Sequence, residues 1–240
     1  MSSTQITRSV SRWARALAIS LLLVLAAPLQ AQSESSADPF ESFNRAVFQF
    51  NDTIDRAVLK PVAQFYADVV PETPRLLFRN FVSNLLEPWN AVNNLLQGKP
   101  LAAASDVGRF LMNTLITLGL GDPASEAGLE RSNEDLGQTL GVWGFGPGPY
   151  LVLPILGPSS IRDGVGRIAD IGFDPSRRIA DNDEFAIFTV ARLVEQRATL
   201  LPMERMVEGA ALDRYSFIRN AYLQRRLNLV YDGNPPEPKE

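Results

Sequence analysis

The spacing of apolar residues along the chain is typical of amphipathic helices. Apolar side chains recur at steps of three and four in residues 40–58, a similar stripe runs through 77–96, and residues 101–118 form a third helical unit. Because an α-helix turns once in about 3.6 residues, this spacing places them along one helix face. Residues 110–120 are apolar nearly all round. These segments predict an all-α fold built from amphipathic helices.

Helix start signals add further elements. Asp38 and Pro39 supply a cap and a first-turn proline ahead of the first helix. Pro61 begins a short helix, and the Ser-Ile-Arg-Asp run at 160–163 resembles a capping box that begins another. A later helix is predicted over residues 184–201. In total the sequence predicts about six to eight helices and little or no sheet.

Proline and glycine interrupt this pattern. Pro88 is expected to kink or break the second helix, and Pro202 to separate a last helical stretch that ends at about Leu229. The Gly/Pro-rich segment 141–154 disfavours regular helix. Within it, residues 150–153 are predicted to form a short strand or an extended segment, and the following proline would confine a strand to a sheet edge.

The N-terminus has the pattern of a secretory signal peptide. Three arginines precede an apolar run, 16–29, that is too short for a bilayer span of about 20 residues, and small residues lead to a cut after Ala31. We therefore assign residues 1–31 to a cleaved signal peptide, 32–37 to a flexible leader, 38–231 to one helical domain and 232–240 to a disordered tail.

Composition excludes several kinds of chemistry. The 240 residues include no histidine and no cysteine, which excludes Ser-His-Asp triads, thiolate nucleophiles and the usual zinc and iron–sulfur sites. Removing the three arginines of the signal leaves 20 basic and 27 acidic residues and a net charge of −7. This charge argues against nucleic acid as a partner. The sequence predicts no cofactor and no metal site.

Acidic pairs are the remaining candidates for acid–base chemistry. They occur at Glu134/Asp135, at Asp181/Asp183 and at Asp183/Glu184. Carboxylates are favourable at helix N-termini, and neither a nucleophile nor a set of metal ligands accompanies these pairs. We interpret them as helix starts, and we expect that the protein is not an enzyme.

Several motifs, in a fixed order, resemble those of one family. They are DPFESFNR at 38–45, SNLLEP at 83–88, EDLGQTLG at 134–141, GPSS at 157–160 and YLQRR at 222–226. Over residues 38 to about 231 the sequence is similar to the MlaA (VacJ) family of the Gram-negative outer membrane. The resemblance therefore covers nearly all of the chain that follows the predicted signal peptide.

This resemblance implies a ring-like (doughnut) bundle of helices embedded in the outer membrane. Such a ring encloses an amphipathic channel that removes mislocalised phospholipids from the outer leaflet and maintains lipid asymmetry. The implied partners are phospholipid, a periplasmic lipid carrier of the Mla pathway and a trimeric porin. The best-known members are lipoproteins, whereas this chain has no cysteine to carry a lipid.

The expected location is the periplasmic side of the outer membrane, after signal-peptide cleavage and without N-terminal lipidation. Amphipathic helices such as 40–58 and 110–120 are expected to hold the protein there. Two alternatives stay open. One is a soluble periplasmic helical scaffold, and the other is a lipid hydrolase that uses carboxylates or serine.

The Gly/Pro-rich loop is the first candidate site. Glycines alternate with prolines there, so flexible points lie between stiff ones, and large aromatic side chains flank them. We hypothesise that this loop gates lipid passage and that the helix around residues 80–85 forms part of the channel wall. The candidate residues are Asn80, Phe81 and Leu85 in the wall, and Gly141, Trp143, Gly144, Phe145, Gly146, Gly148 and Tyr150 in the loop.

A face of the last helix is the second candidate site. Tyr215, Arg219, Tyr222 and Arg226 follow one another at steps of four, three and four. Such a face either binds a phosphate headgroup or forms a polar network that pins the last helix to the domain. Nearby acids that can satisfy the arginines favour the network.

Overall fold

The computed structural model describes residues 38–179, 181–207 and 213–236. These residues form helices and one two-stranded hairpin, which confirms the predicted all-α class. The predicted signal peptide and leader, and the last four residues of the tail, lie outside the described residues. The elements are α1 Glu41–Ile54, a π-helical turn Asp55–Leu59, α2 Lys60–Val69, α3 Glu72–Leu96, α4 Pro100–Thr117, α5 Pro123–Glu126, α6 Leu136–Val142, β1 Tyr150–Leu153, β2 Gly157–Ser160, α7 Ile161–Phe173, α8 Ser176–Ile179, α9 Asn182–Val207 and α10 Arg214–Val230.

The start of α1 differs from the predicted cap. The helix begins at Glu41, and Phe40 occupies the cap position without a side-chain hydrogen bond. The buried Asp38 carboxylate instead accepts hydrogen bonds from Phe40 N at 3.1 Å and from Asn44 Nδ2 at 2.9 Å. Asp38 therefore anchors the chain just before the helix.

Pro88 does not break the second helix. Helix α3 runs without interruption through it, so of the two predicted outcomes the break is wrong and the kink stays a prediction. A proline inside a helix costs about 3 kcal/mol, and contacts with the neighbouring elements on both sides of Pro88 offset this cost. Asn84 Nδ2 donates to Thr114 Oγ1 at 2.9 Å, and Asn90 Nδ2 donates to the Ser132 carbonyl at 3.2 Å.

Pro202 does not divide α9 either. The helix continues from Asn182 to Val207, and α10 begins at Arg214. Residues 208–212 lie outside the described part. Helix α9 packs on α2 through Ala198 and Leu201, which lie in one apolar cluster with Ala63. This packing holds the segment around the proline in place.

The hairpin contains the predicted strand β1 and a second strand, β2, that the sequence did not predict. The two strands are antiparallel, and Leu153 pairs with Gly157 at the turn. Two asparagines of α1 hold β1 through its backbone. Asn44 donates to the Tyr150 carbonyl at 3.0 Å and accepts from Val152 N at 2.9 Å, and Asn51 donates to the Leu153 carbonyl at 2.9 Å.

Burial in this fold is inverted relative to an ordinary water-soluble domain. Among the described residues, 17 buried side chains are polar or charged and only 11 are apolar. Large apolar side chains lie at the surface, as Phe43, Phe50 and Phe65 show, with 57%, 52% and 68% of their areas exposed. The apolar stripes predicted for α1 and α4 therefore largely face outward. They do not form a conventional core.

The polar interior is held by hydrogen-bonded ion pairs. Arg109 in α4 is completely buried and donates to the Glu87 carboxylate of α3 at 2.9 Å, to Asp122 at 2.8 Å and to the Leu129 carbonyl. A buried charge is tolerated when its hydrogen bonds are satisfied in this way. This network fixes the α3–α4 pair from within.

Candidate functional site

The Gly/Pro-rich loop begins where α6 ends. Asp135 caps α6, because its carboxylate accepts from Gln138 N at 2.8 Å. Trp143 and Phe145 follow the helix and are more than half exposed, although Trp143 Nε1 donates to the Leu96 carbonyl at 2.8 Å. Gly144 has a φ of +92°, a conformation that L side chains rarely adopt. The loop therefore presents two aromatic side chains at the surface.

The far end of this loop is attached to α7. Arg162 donates from its side chain to the Phe145 carbonyl at 3.2 Å and from its backbone N to the Pro147 carbonyl at 3.1 Å. A cavity of about 300 Å³ lies beneath the loop, between it and the last turns of α10. Gly141, Gly144, Phe145 and Gly146 line this cavity.

Tyr150 does not belong with the exposed aromatics of the loop. It is only 3% exposed, and its ring meets those of Tyr215 and Tyr222 at centroid distances of 6.2 and 5.9 Å. Burial raises the pKa of the Tyr150 hydroxyl to about 12. Its place at the start of β1 puts it in the core, and we remove it from the proposed gate.

The tyrosine–arginine face of α10 points into the domain. The Tyr215 hydroxyl donates to the Asp38 carboxylate, and the Tyr222 hydroxyl donates to Asp163 at 2.6 Å. Arg219 lies 3.9 Å from Asp38. These contacts favour the structural alternative for this face, because its polar groups are paired within the chain.

Arg226 completes this face by joining two helix starts. Its Nη1 lies 2.6 Å from Asp135 Oδ2, and its Nη2 lies 2.8 Å from Asp163 Oδ1. Burial raises the pKa of both carboxyls, but the hydrogen bonds and charge of Arg226 outweigh this effect. The pKa of Asp135 and that of Asp163 therefore lie below their ordinary value. Both acids are ionised partners of one arginine.

The three residues proposed for the channel wall lie on α3. Asn80 Nδ2 donates to the Leu120 carbonyl at 3.1 Å, and the ring of Phe81 meets that of Phe188 edge-on at 6.4 Å. Leu85 is partly buried. Asn80 lines a cavity of about 530 Å³ between α3 and α9, which is a different cavity from that beneath the glycine loop.

A third cavity, of about 580 Å³, escaped prediction from the sequence. It lies between α7 and α10, and Leu200 of α9 lines both this cavity and the one between α3 and α9. Arg167 and Arg225 are among its charged lining residues. Only the packing of α7, α9 and α10 brings these residues together, so no local sequence signal marks them.

The remaining candidates for chemistry have structural partners. Asp181 accepts from Asp183 N and Glu184 N at the start of α9, as a helix cap does. Glu134 accepts from Gln97 Nε2 at 2.8 Å, and burial raises its pKa. The described part of the chain contains no group of three or more acidic residues placed to hold a metal ion.

Within residues 38–179, 181–207 and 213–236, none of the helices combines the length and the apolar character needed to cross a bilayer. The exposed apolar side chains are instead spread over several amphipathic helices, among them α1, α2 and α4.

Comparison with known proteins shows the family. Residues 36–229 match the sequence model of the MlaA lipoprotein family. The intermembrane phospholipid transport system lipoprotein MlaA of Escherichia coli is 35% identical over 226 residues, which cover 91% of this chain and 88% of that protein. An uncharacterized protein of Rickettsia typhi is 36% identical over 84% of this chain and 82% of its own length. The chain belongs to the MlaA family.

A solved structure agrees with this assignment. It was determined in work on the structural basis for maintenance of bacterial outer membrane lipid asymmetry, and it superposes with a TM-score of 0.72 at 36% sequence identity. The match covers 82% of this chain and 99% of the other. The likeness therefore extends over essentially the whole of the solved chain.

Proposed function

We propose that this protein is a phospholipid transport component of the outer membrane and not an enzyme. It removes mislocalised phospholipids from the outer leaflet and passes them to a periplasmic carrier, which maintains lipid asymmetry. Family membership supports this function, since relatives carry the name of an intermembrane phospholipid transport system.

The inverted burial is the observation that carries the proposal. A domain that exposes large apolar side chains on several helices, and buries ion pairs instead, is suited to hydrocarbon surroundings. Exposed apolar residues on α1 and on the end of α4 supply such a surface. We propose that these helices lie in the membrane as amphipathic elements and that none of them spans it.

The lipid path is proposed to follow the two larger cavities. They share Leu200, and their linings combine apolar side chains with arginines and carboxylates. A phospholipid requires both apolar and charged lining residues, because its acyl chains are apolar and its headgroup is charged. The loop carrying Gly144, Phe145 and Gly146 lines the adjoining cavity of about 300 Å³, which shares Tyr222 and Arg226 with the path, and it is proposed to gate the path from there. Trp143 is the hydrogen-bonded attachment of this loop to α3.

The partners follow from this placement. A periplasmic lipid carrier of the Mla pathway would receive the lipid, and a trimeric porin is the proposed neighbour in the membrane. The 240 residues contain no cysteine for a thioether-linked lipid. We therefore propose that the apolar helices provide the attachment that an acyl group provides in lipoprotein relatives.

Native mass spectrometry of the full protein extracted from outer membranes tests the transport function. Transport predicts co-purified, intact phospholipid, and transfer of labelled phospholipid from donor to acceptor vesicles in the presence of a periplasmic carrier. Release of free fatty acid or lysophospholipid from the same vesicles would support the hydrolase alternative. Recovery in the osmotic-shock fraction, without bound lipid, would support the soluble scaffold.

A further inference from the structure

Two arginines of the cavity between α7 and α10 lack the carboxylate partner that most arginines of the described chain have. Among the described residues, Arg225 has neither a hydrogen bond nor an ion pair, and Arg167 donates only to the Leu156 carbonyl, at 2.9 Å. Arg226, next in the chain, has two carboxylate partners. Arg167 and Arg225 thus bring positive charge to the cavity that no carboxylate of the described chain pairs with.

The acids of the same cavity have other partners. Asp135 and Asp163 bind Arg226, and Asp163 also accepts from Arg162 and Tyr222. Asp170 accepts from Trp89 Nε1 at 2.9 Å and from the backbone N of Leu136 at 3.1 Å. The carboxylates are therefore held by neighbours, and the two arginines are available to an anion from outside the chain.

Helix periodicity explains why both arginines reach this cavity. Asp163, Arg167 and Asp170 follow one another at steps of four and three on α7. On α10, Arg225 comes four residues after Ala221 and four before Leu229. Both arginines therefore lie on helix faces whose neighbouring positions also line the cavity.

Most of the remaining lining is apolar, and Asn133 and Tyr222 are its other polar side chains. Leu156, Pro158, Leu200, Ile218 and Leu229 border the same space of about 580 Å³. A small inorganic anion makes no favourable contact with these apolar side chains. An anion attached to a hydrocarbon chain can contact both the arginines and the apolar part of the lining. Arginine is suited to phosphate because its planar guanidinium offers several donors in a fixed fork.

We propose that Arg167 and Arg225 form a subsite for the phosphate diester of a phospholipid headgroup, with the lipid's apolar part against Leu200 and its neighbours. This inference rests on the proposed transport function and locates the headgroup within the path. Phosphatidylglycerol carries this phosphate diester as its only charged group and is therefore the probe.

The test compares three ligands on the full protein in detergent by native mass spectrometry: phosphatidylglycerol, diacylglycerol with the same acyl chains, and inorganic phosphate. The double variant R167Q/R225Q is compared with R177Q. Arg177 is a suitable control because it stacks on Phe185 at 4.6 Å and, within the described chain, has no carboxylate partner. A melting curve of each variant verifies that it is folded.

The expected result is specific to the phosphate. R167Q/R225Q should bind phosphatidylglycerol at least about tenfold more weakly, since charged hydrogen bonds are lost. Its binding of diacylglycerol should be unchanged, and R177Q should bind like the wild type. Inorganic phosphate should not displace the lipid at equal concentration.

Three results would overturn the subsite. If R167Q/R225Q binds phosphatidylglycerol as tightly as the wild type, the arginines do not hold the headgroup, although transport itself stands. If inorganic phosphate displaces the lipid at equal concentration, the site is one for free phosphate. If the wild type neither binds nor transfers any phospholipid, the transport function fails and the subsite fails with it.

Discussion

Arg226 and Asp163 join the last helix to the first turn of α7 through a contact of 2.8 Å between Nη2 and Oδ1. The two residues are 63 positions apart in the sequence. Asp163 is itself nearly buried, and Tyr222 and Arg162 also donate to it. The Asp163 carboxylate therefore accepts hydrogen bonds from three side chains that belong to two helices.

We predict that Asp163→Asn destabilises the domain. The substitution takes from Arg226 one of its two ionised partners, and breaking a buried ion pair costs about 3 kcal/mol. For a domain of this size that loss lowers the melting temperature by about 6 to 12 °C, measurable in detergent by circular dichroism. Arg225→Gln, on α10 next to Arg226, is the control, with an expected change below about 0.5 kcal/mol. Equal melting of Asp163→Asn and the wild type would refute the structural role of this pair.

Stability should also fall in acid. The pKa of Asp135 and that of Asp163 lie below the ordinary value of 3.8, so both groups favour the folded state when ionised. Their contribution is present above pH 3.8 and is lost as the pH falls through the lower folded-state values. Urea unfolding at pH 7, 5, 4 and 3 measures this loss. In Arg226→Gln the slope below pH 4 should be shallower, and an identical slope would contradict the assignment.

Gly146→Ala tests the loop as a gate. A Cβ at this position meets no atom within 4 Å, so the substitution removes flexibility without a clash. Gly144 is less suitable, because its φ of +92° makes alanine strained there. A gate predicts more phospholipid in the outer leaflet, with protein abundance and melting temperature nearly unchanged. Gly172→Ala, in α7 and equally open, is the control. Unchanged lipid asymmetry in Gly146→Ala would mean that the loop is a rigid segment and not a gate.

The double variant Phe43→Ser/Phe50→Ser tests the membrane attachment. Each exposed phenylalanine contributes about 1.5 to 3 kcal/mol when it is buried in hydrocarbon. We expect the double variant to shift into the soluble fraction after carbonate extraction of membranes. Gln49→Ser, at an exposed polar position of α1, should stay in the membrane. Retention of the double variant there would mean that other contacts provide the attachment.

Intact mass addresses the N-terminus. We predict a mature protein that begins at Gln32 and carries no acyl chain, because the sequence lacks cysteine and ends its signal-like start at Ala31. The protein is to be purified from outer membranes without proteolysis. A mass increased by a diacylglyceryl group would refute this prediction, as would a retained N-terminal segment.

Helix identity was predictable from the sequence because it depends on local spacing. The apolar steps in α1, the strand at Tyr150 and the capping serine of α7 all follow from neighbouring residues. The break at Pro88 and the helix boundary at Pro202 were predicted wrongly. The free-energy cost of a proline in a helix is local, whereas the contacts that offset it come from other elements. A proline penalty of about 3 kcal/mol ends a helix only where no tertiary contacts stabilise the helix on both sides of the proline.

The direction that the apolar stripes face was not predictable either. Periodicity shows that α1 has an apolar side, but it does not show whether that side meets other helices or the surroundings. Pairs such as Arg197 with Asp55, at 2.7 Å, join residues 142 positions apart. Only the assembled fold reveals that the polar side chains are the ones enclosed.

The enclosed polar network reverses the usual tolerance to mutation. In most domains the inside accepts exchanges among aliphatic residues of similar volume, while the outside accepts nearly anything hydrophilic. Here Arg109 needs the placement of Glu87 and Asp122, so Lys, Gln or Met in its place would each lose contacts that only a guanidinium makes. The exposed positions require only a hydrophobic side chain, so Phe65 or Leu115 can be replaced by any bulky apolar residue. Random mutagenesis of this protein should therefore find its intolerant sites among asparagines, arginines and acids, and its permissive sites among leucines and phenylalanines.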